Sequence, residues 1–136
     1  MFRLTTERLC LRHFTVDDEE PLYRIFQDPE VMRYGNGVQT SEWVRHWVQK
    51  TIEGYEERGF GPYAVLEQHS SAVLGYCGLL YFPDVNGMQE VEIGYRLARA
   101  AWGKGYATES AIAVRDYAFN SLATKRLIAI IDPSNV

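Results

Sequence analysis

The sequence predicts an α+β fold in which a mixed central sheet is flanked by helices, and three observations carry that prediction. Residues 62–67, 73–82 and 88–98 alternate in the manner of strands. Between them lie Gln68-His69-Ser70-Ser71 and Pro83-Asp84-Val85-Asn86-Gly87, polar turns short enough for an antiparallel meander. Beyond the third strand the period changes: Ala107, Ala111, Val114, Ala118 and Leu122 recur at helical spacing. That helix separates the strand at 91–97 from another at 125–131, so these two should run parallel through a right-handed crossover. The third observation is Gly103-Lys104-Gly105, placed where strand gives way to helix. Glycines there let backbone N–H groups turn toward one point, and the helix start adds its positive dipole end, so an anion such as phosphate is favoured.

The remaining elements follow in order. Residues 7–14 alternate Leu9 and Leu11 against Arg8, Cys10 and Arg12, as a first strand would. Thr15 to Asp18 has the T-x-x-D form of a helix start, with Leu22, Ile25 and Phe26 as an apolar stripe. Pro21 is tolerated if it falls in the first turn. Asp28-Pro29 closes the helix, and Gly35-Asn36-Gly37 forms a loop. Thr40 or Ser41 caps a second helix, in which Trp43 and Trp47 adjoin Val44, Val48, Ile52 and Tyr55. That aromatic stripe reads as packing against the sheet rather than as a ligand box.

The chain has 136 residues, with 14 basic against 18 acidic and a formal charge of −4. Such a length suits one domain, and the acidic balance argues against generic nucleic-acid or anionic-membrane binding. No apolar run approaches a membrane span and the N-terminus lacks a signal-type apolar region, so a cytoplasmic location is expected. Cys10 and Cys77 sit in strand-like segments without metal spacing and are expected to be buried, inert thiols. His13, His46 and His69 are scattered. No metal site is expected.

Commoner phosphate motifs fit the glycine loop poorly. A nucleotide-triphosphate loop needs Ser or Thr after its Lys, and here Gly105 follows Lys104. A dinucleotide fingerprint needs Gly or Ala where Thr108 stands, and an acidic residue at the end of a following strand that here opens with Lys125-Arg126. At these residues the sequence instead resembles the GNAT family of acyl-CoA-dependent N-acyltransferases, and within it the RimJ/RimL-like branch. The family's diphosphate loop, Q/R-x-x-G-x-G/A, maps onto Trp102-Gly103-Lys104-Gly105-Tyr106-Ala107, with Trp102 in place of Gln or Arg. The run on to Thr108-Glu109 is itself familiar in that branch. Thr5, Glu7, Arg8, Leu9, Leu11 and Arg12 near the start, and Asp28-Pro29-Glu30-Val31-Met32, extend the likeness over nearly the whole chain.

The resemblance implies acetyl-CoA as co-substrate. Its pantetheine arm would lie along the backbone of Tyr95, Arg96 and Leu97, and its diphosphate on N–H groups from Gly103 to Ala107. Trp102, Lys104 and Thr108 would border that site, and Asn135 resembles a further cofactor contact. The segment holding Met32, Arg33 and Tyr34 would shape the acceptor site. Direct acyl transfer needs no protein nucleophile; it needs placement, a polarised carbonyl and a proton acceptor for the amine. Glu92, on the central strand near the cleft, is the candidate base or water-positioning group, against a structural carboxylate. A family glutamate on the next strand has no counterpart here, where Ile130 stands.

GNAT domains usually continue past residue 136 with a helix and two strands, so this single domain over residues 1–136 is expected to be incomplete at its C-terminus. The apolar strand at 126–131 would then present an edge that invites a homo-oligomer or strand exchange. The function expected is acetyl transfer to a primary amine, either a protein N-terminus or a small molecule. Two other readings stand beside it: a non-catalytic acyl-CoA-binding module, and an incomplete domain completed by another chain.

Overall fold

In a computed structural model, which describes residues 2–33, 37–122, 124 and 126–128, the alternating segments form a five-stranded antiparallel sheet. Its spatial order is the order of the chain: β1 (Arg3–Thr5), β2 (Leu9–Arg12), β3 (Pro62–Glu67), β4 (Val73–Val85) and β5 (Met88–Leu97). The central strand β3 is buried from Pro62 through Leu66, because helices cover both sheet faces. Helices α1 (Glu19–Phe26) and α2 (Ser41–Arg58) pack on one face, where Leu22, Phe26, Val44 and Val48 meet Ala64 and Leu66. Helix α3 (Tyr106–Ser121) packs on the other, where Val114 and Ala118 meet Leu11, Tyr63, Val65 and Leu79.

Local chemistry fixes the boundaries. The predicted first strand at 7–14 is shorter and has a neighbour: β2 begins at Leu9 and pairs through a tight turn with β1. The turn is closed by the Thr6 N–H donating to the Leu9 carbonyl at 2.9 Å. A short 3-10 turn over Val16–Asp18 precedes α1, so Pro21 sits in the first turn of the helix, where it costs no hydrogen bond. Thr40 caps α2 by accepting from the Trp43 N–H at 3.1 Å, and Gly59 ends it at φ +80°. Trp43 and Trp47 pack on Phe26, Phe14 and Tyr76 beside buried Val44 and Val48, so the aromatic stripe is core.

The β4–β5 hairpin is longer than its polar residues suggest. A register shift between Phe82 and Val85 absorbs Pro83 and Asp84, leaving only Asn86-Gly87 as the turn. Both have positive φ, the geometry of a two-residue hairpin turn, and the Asp84 carboxylate accepts from the Gly87 N–H at 2.8 Å. On the other edge of β5, Glu92 pairs in parallel with Ile128. Ile93 donates to the Ile128 carbonyl and Ile128 to the Val91 carbonyl. The chain after α3 therefore meets β5 in parallel at this isolated bridge; the rest of the strand predicted at 125–131 falls largely outside the described residues.

Candidate functional site

β5 alternates its chemistry between the two faces of the sheet. Ile93, Tyr95 and Leu97 lie on the α3 side, while Glu92 and Arg96 share the opposite side with Tyr76 and the segment that follows α1. Backbone polarity alternates too. Val91 and Ile93 use their outer C=O and N–H on Ile128, so Tyr95, two residues on, turns its own C=O and N–H to that same edge. Beside this edge is an open groove of about 440 Å³ whose lining includes Ile93, Tyr95, Thr108, Ala111, Ile112 and Leu127.

The strand then runs directly into the glycine loop. A 3-10 turn over Arg99–Ala101 lifts the chain off the sheet, and the Trp102 indole N–H donates back to the Leu97 carbonyl at 2.9 Å, pinning the loop entrance to the strand end. This gives Trp102 a structural task at the position where the family pattern has Gln or Arg. Gly103 and Gly105 take φ +77° and +80°, and a Cβ at Gly103 would meet open space. Gly105 occupies the cap position of α3 and offers no side chain to its first-turn N–H groups. Tyr106, Ala107 and Thr108 therefore present donors at the positive end of a helix. Lys104 lies in the loop itself, its ammonium 5.8 Å from the Tyr106 ring centre.

This arrangement suits a phosphate ester that continues into an apolar, amide-bearing tail: donors for the charge, then a strand edge and a groove for the arm. The Leu97 side chain is in the core. Behind the loop, Arg8 donates to the Lys104 carbonyl at 2.8 Å and to Glu109 at 2.6 Å. Tyr106 donates its phenol proton to Glu67 at 2.6 Å. The sequence singled out Arg8 within a motif but attached no role to it; Glu109, 101 positions away, gave no sign of being its partner.

On the opposite face, Glu92 is 9% exposed and its carboxylate lies over Gly94, where a Cβ would stand 3.4 Å from Oε1. The Tyr76 phenol is held protonated chiefly by burial; the Arg96 charge opposes the shift and Glu92 adds to it. Arg96 donates to the Val31 carbonyl at 2.8 Å. Arg99 forks onto Asp28, which also accepts from the Glu30 N–H at 3.0 Å. These contacts bind the segment 28–33 to the end of β5. Within it Met32 is buried, so it shapes the segment from inside, whereas Arg33 is exposed and pairs with Glu30 at 3.9 Å. Tyr34 and Asn135 lie outside the described residues. Glu90, the other carboxylate on this strand, is an ion-pair partner of Arg126 at 3.2 Å. Cys77 is fully buried, and burial pushes its thiol up to about 11, so it is an inert packing residue.

Fold and site together define an acyltransferase class, and comparison with known proteins gives the family. Residues 8–136 match the Acetyltransferase (GNAT) domain, and the chain belongs to that family, N-acetyltransferases that draw the acetyl group from acetyl-CoA. It is 37% identical over 138 residues to the uncharacterized protein YkkB of Bacillus subtilis strain 168, an alignment that covers 98% of this chain and 77% of YkkB. It is 33% identical over 141 residues to the uncharacterized N-acetyltransferase p20 of Bacillus licheniformis, covering 99% of this chain and 76% of p20. The crystal structure of a GNAT-family acetyltransferase from Bacillus anthracis superimposes with a TM-score of 0.82 at 29% identity, covering 98% of this chain and 76% of that one.

Proposed function

We propose that this chain, acting as one GNAT domain of the RimJ/RimL-like branch in the cytoplasm, transfers acetyl from acetyl-CoA to a primary amine. The amine is a protein N-terminus or a small molecule. The observation that carries this reading is the continuity of the Tyr95 edge with the Gly103–Ala107 donors: a diphosphate on the loop puts the attached arm along β5. The pantetheine amides then pair with the Tyr95 backbone as an added strand would, beside Arg96 and Leu97. Trp102 fixes the loop entrance, and Lys104 and Thr108 supply charge and a hydroxyl at its rim.

Transfer is direct. The neutral amine nitrogen attacks the thioester carbon, the C–S bond breaks, the amine gives up one proton, and CoA leaves as a thiolate that takes a proton from solvent. Glu92, buried on the face of segment 28–33 beside Tyr76 and Arg96, is the group that takes the amine's proton through water. The segment that holds Met32 and Arg33 shapes the acceptor site, Met32 from inside it and Arg33 from its exposed side. An α-amine is partly neutral near pH 7 whereas a lysine ε-amine is not, so the site's demand for a base is smaller with N-terminal acceptors. The test is CoA thiol release over a panel of N-terminal peptides and small amines. Release that depends on the amine supports the reading; acetyl-CoA binding with no release over the panel replaces it with a binding module.

A further inference from the structure

The glycine loop is held from behind by Arg8, a residue that does not line the groove. From the turn between β1 and β2, its guanidinium donates to the Lys104 carbonyl at 2.8 Å and to Glu109 Oε1 at 2.6 Å. Its backbone N–H and the Thr6 hydroxyl both donate to Glu109 Oε2, at 2.9 and 2.6 Å. The guanidinium also lies 4.7 Å from the Tyr106 ring centre. Arg8 is half exposed, and an ion pair in that setting adds little to global stability. What these contacts do add is direction, because they converge on one loop peptide and one carboxylate.

Peptide geometry gives that direction a consequence. The bond between Lys104 and Gly105 is trans, so its C=O and N–H point opposite ways. With the Lys104 oxygen drawn toward β1 and β2, the Gly105 N–H faces away from them, to the open side of the loop. Gly103 and Gly105 on either side make this peptide easy to rotate, and rotation would exchange a donor for a carbonyl oxygen. Glu109 poses a second hazard. It stands in the first turn of α3, where its charge competes with any phosphate for the helix's positive end. Arg8 and Thr6 turn that carboxylate away and offset it.

We infer that Arg8 is a positioning residue that sets the polarity of the loop for the acetyl-CoA diphosphate, by orienting the Lys104–Gly105 peptide and neutralising Glu109. The inference rests on the function proposed above. Its test is calorimetric affinity for two thioesters, acetyl-CoA and S-acetyl-pantetheine, which lacks the diphosphate. Arg8→Met should weaken acetyl-CoA binding by roughly tenfold or more, the scale of one charge-assisted contact, while leaving S-acetyl-pantetheine within about twofold. Adding Glu109→Gln to Arg8→Met should recover part of that loss. Arg8→Lys keeps the charge without the fork; it should fall between, and it decides the matter if Arg8→Met does not fold. Unchanged acetyl-CoA affinity in the folded Arg8 variants overturns the inference, as do equal losses for both thioesters. Failure of the unsubstituted chain to bind acetyl-CoA instead removes the proposed function, and the inference with it.

Discussion

Glu92 and the two loop glycines carry most of the proposed chemistry, and Glu92 answers to a single substitution. Glu92→Gln keeps the shape of the side chain and removes its basicity. If it takes the amine's proton, kcat/KM for the amine should fall by about 100-fold, with acetyl-CoA affinity unchanged. A pH profile of kcat/KM for both forms checks this, and equal rates would reduce Glu92 to a structural carboxylate. Gly94→Ala should reach the same site from a neighbour, since the new methyl would stand 3.1 Å from Leu80 and 3.4 Å from the Glu92 carboxylate. It should lower kcat without altering acetyl-CoA affinity, as measured by steady-state kinetics beside calorimetry. The loop glycines were legible in the sequence because positive φ at a strand-to-helix junction is a backbone demand that residue type alone can meet. The Arg8–Glu109 contact was not, since it joins side chains 101 positions apart and only the folded sheet brings β2 to the start of α3.

Among the elements, the start of α1 and the end of β2 are bound into one unit by Asp18. Its carboxylate accepts both Arg12 guanidinium nitrogens at 2.9 Å and the Thr15 N–H at 2.8 Å. Burial on its own would raise the Asp18 pKa, but the hydrogen bonds from Arg12 and Thr15 and the Arg12 charge carry it below its ordinary 3.8. Arg12→Ala leaves that buried carboxylate without its cation and should cost roughly 3 kcal/mol by denaturant unfolding. Because the folded pKa is the lower one, Asp18 stabilises above about pH 4, and that contribution is lost as pH falls through the folded value. His13 titrates higher. Burial lowers its pKa from 6.5, with its ring stacked 3.7 Å from that of Tyr55. Its neutral form is the stable one, so stability should be full above pH 6.5 and decline below it by at most about 1.4 kcal/mol per pH unit. His13→Phe keeps a stacking ring and should flatten the unfolding free energy between those two windows. The N-cap of α2 could be read at Thr40, whereas β1 could not: three residues carry too little pattern, and pairing with β2 alone makes them a strand.

At the scale of the whole molecule, the meander and the crossover strand place two chemistries on opposite faces of β5, the groove and loop on the α3 side and Glu92 on the α1–α2 side. The alternation of residues 91–97 marked this strand in the sequence, whereas the placing of Glu92 across the sheet from the groove came only from the fold. What it concealed was the length of the hairpin, because Pro83 and Asp84 look like a turn and are instead taken up by a bulge. It also concealed how segment 28–33 is fastened, through Arg96 to Val31 and Arg99 to Asp28. Whether Gly103 to Ala107 hold the diphosphate of acetyl-CoA is decided by calorimetric titration of acetyl-CoA into this chain and into a Gly103→Val/Gly105→Val variant. The natural sequence should bind one equivalent and the variant none, with the variant's retained fold verified by circular dichroism. A folded variant that binds acetyl-CoA as tightly as the natural sequence would contradict that placement of the diphosphate.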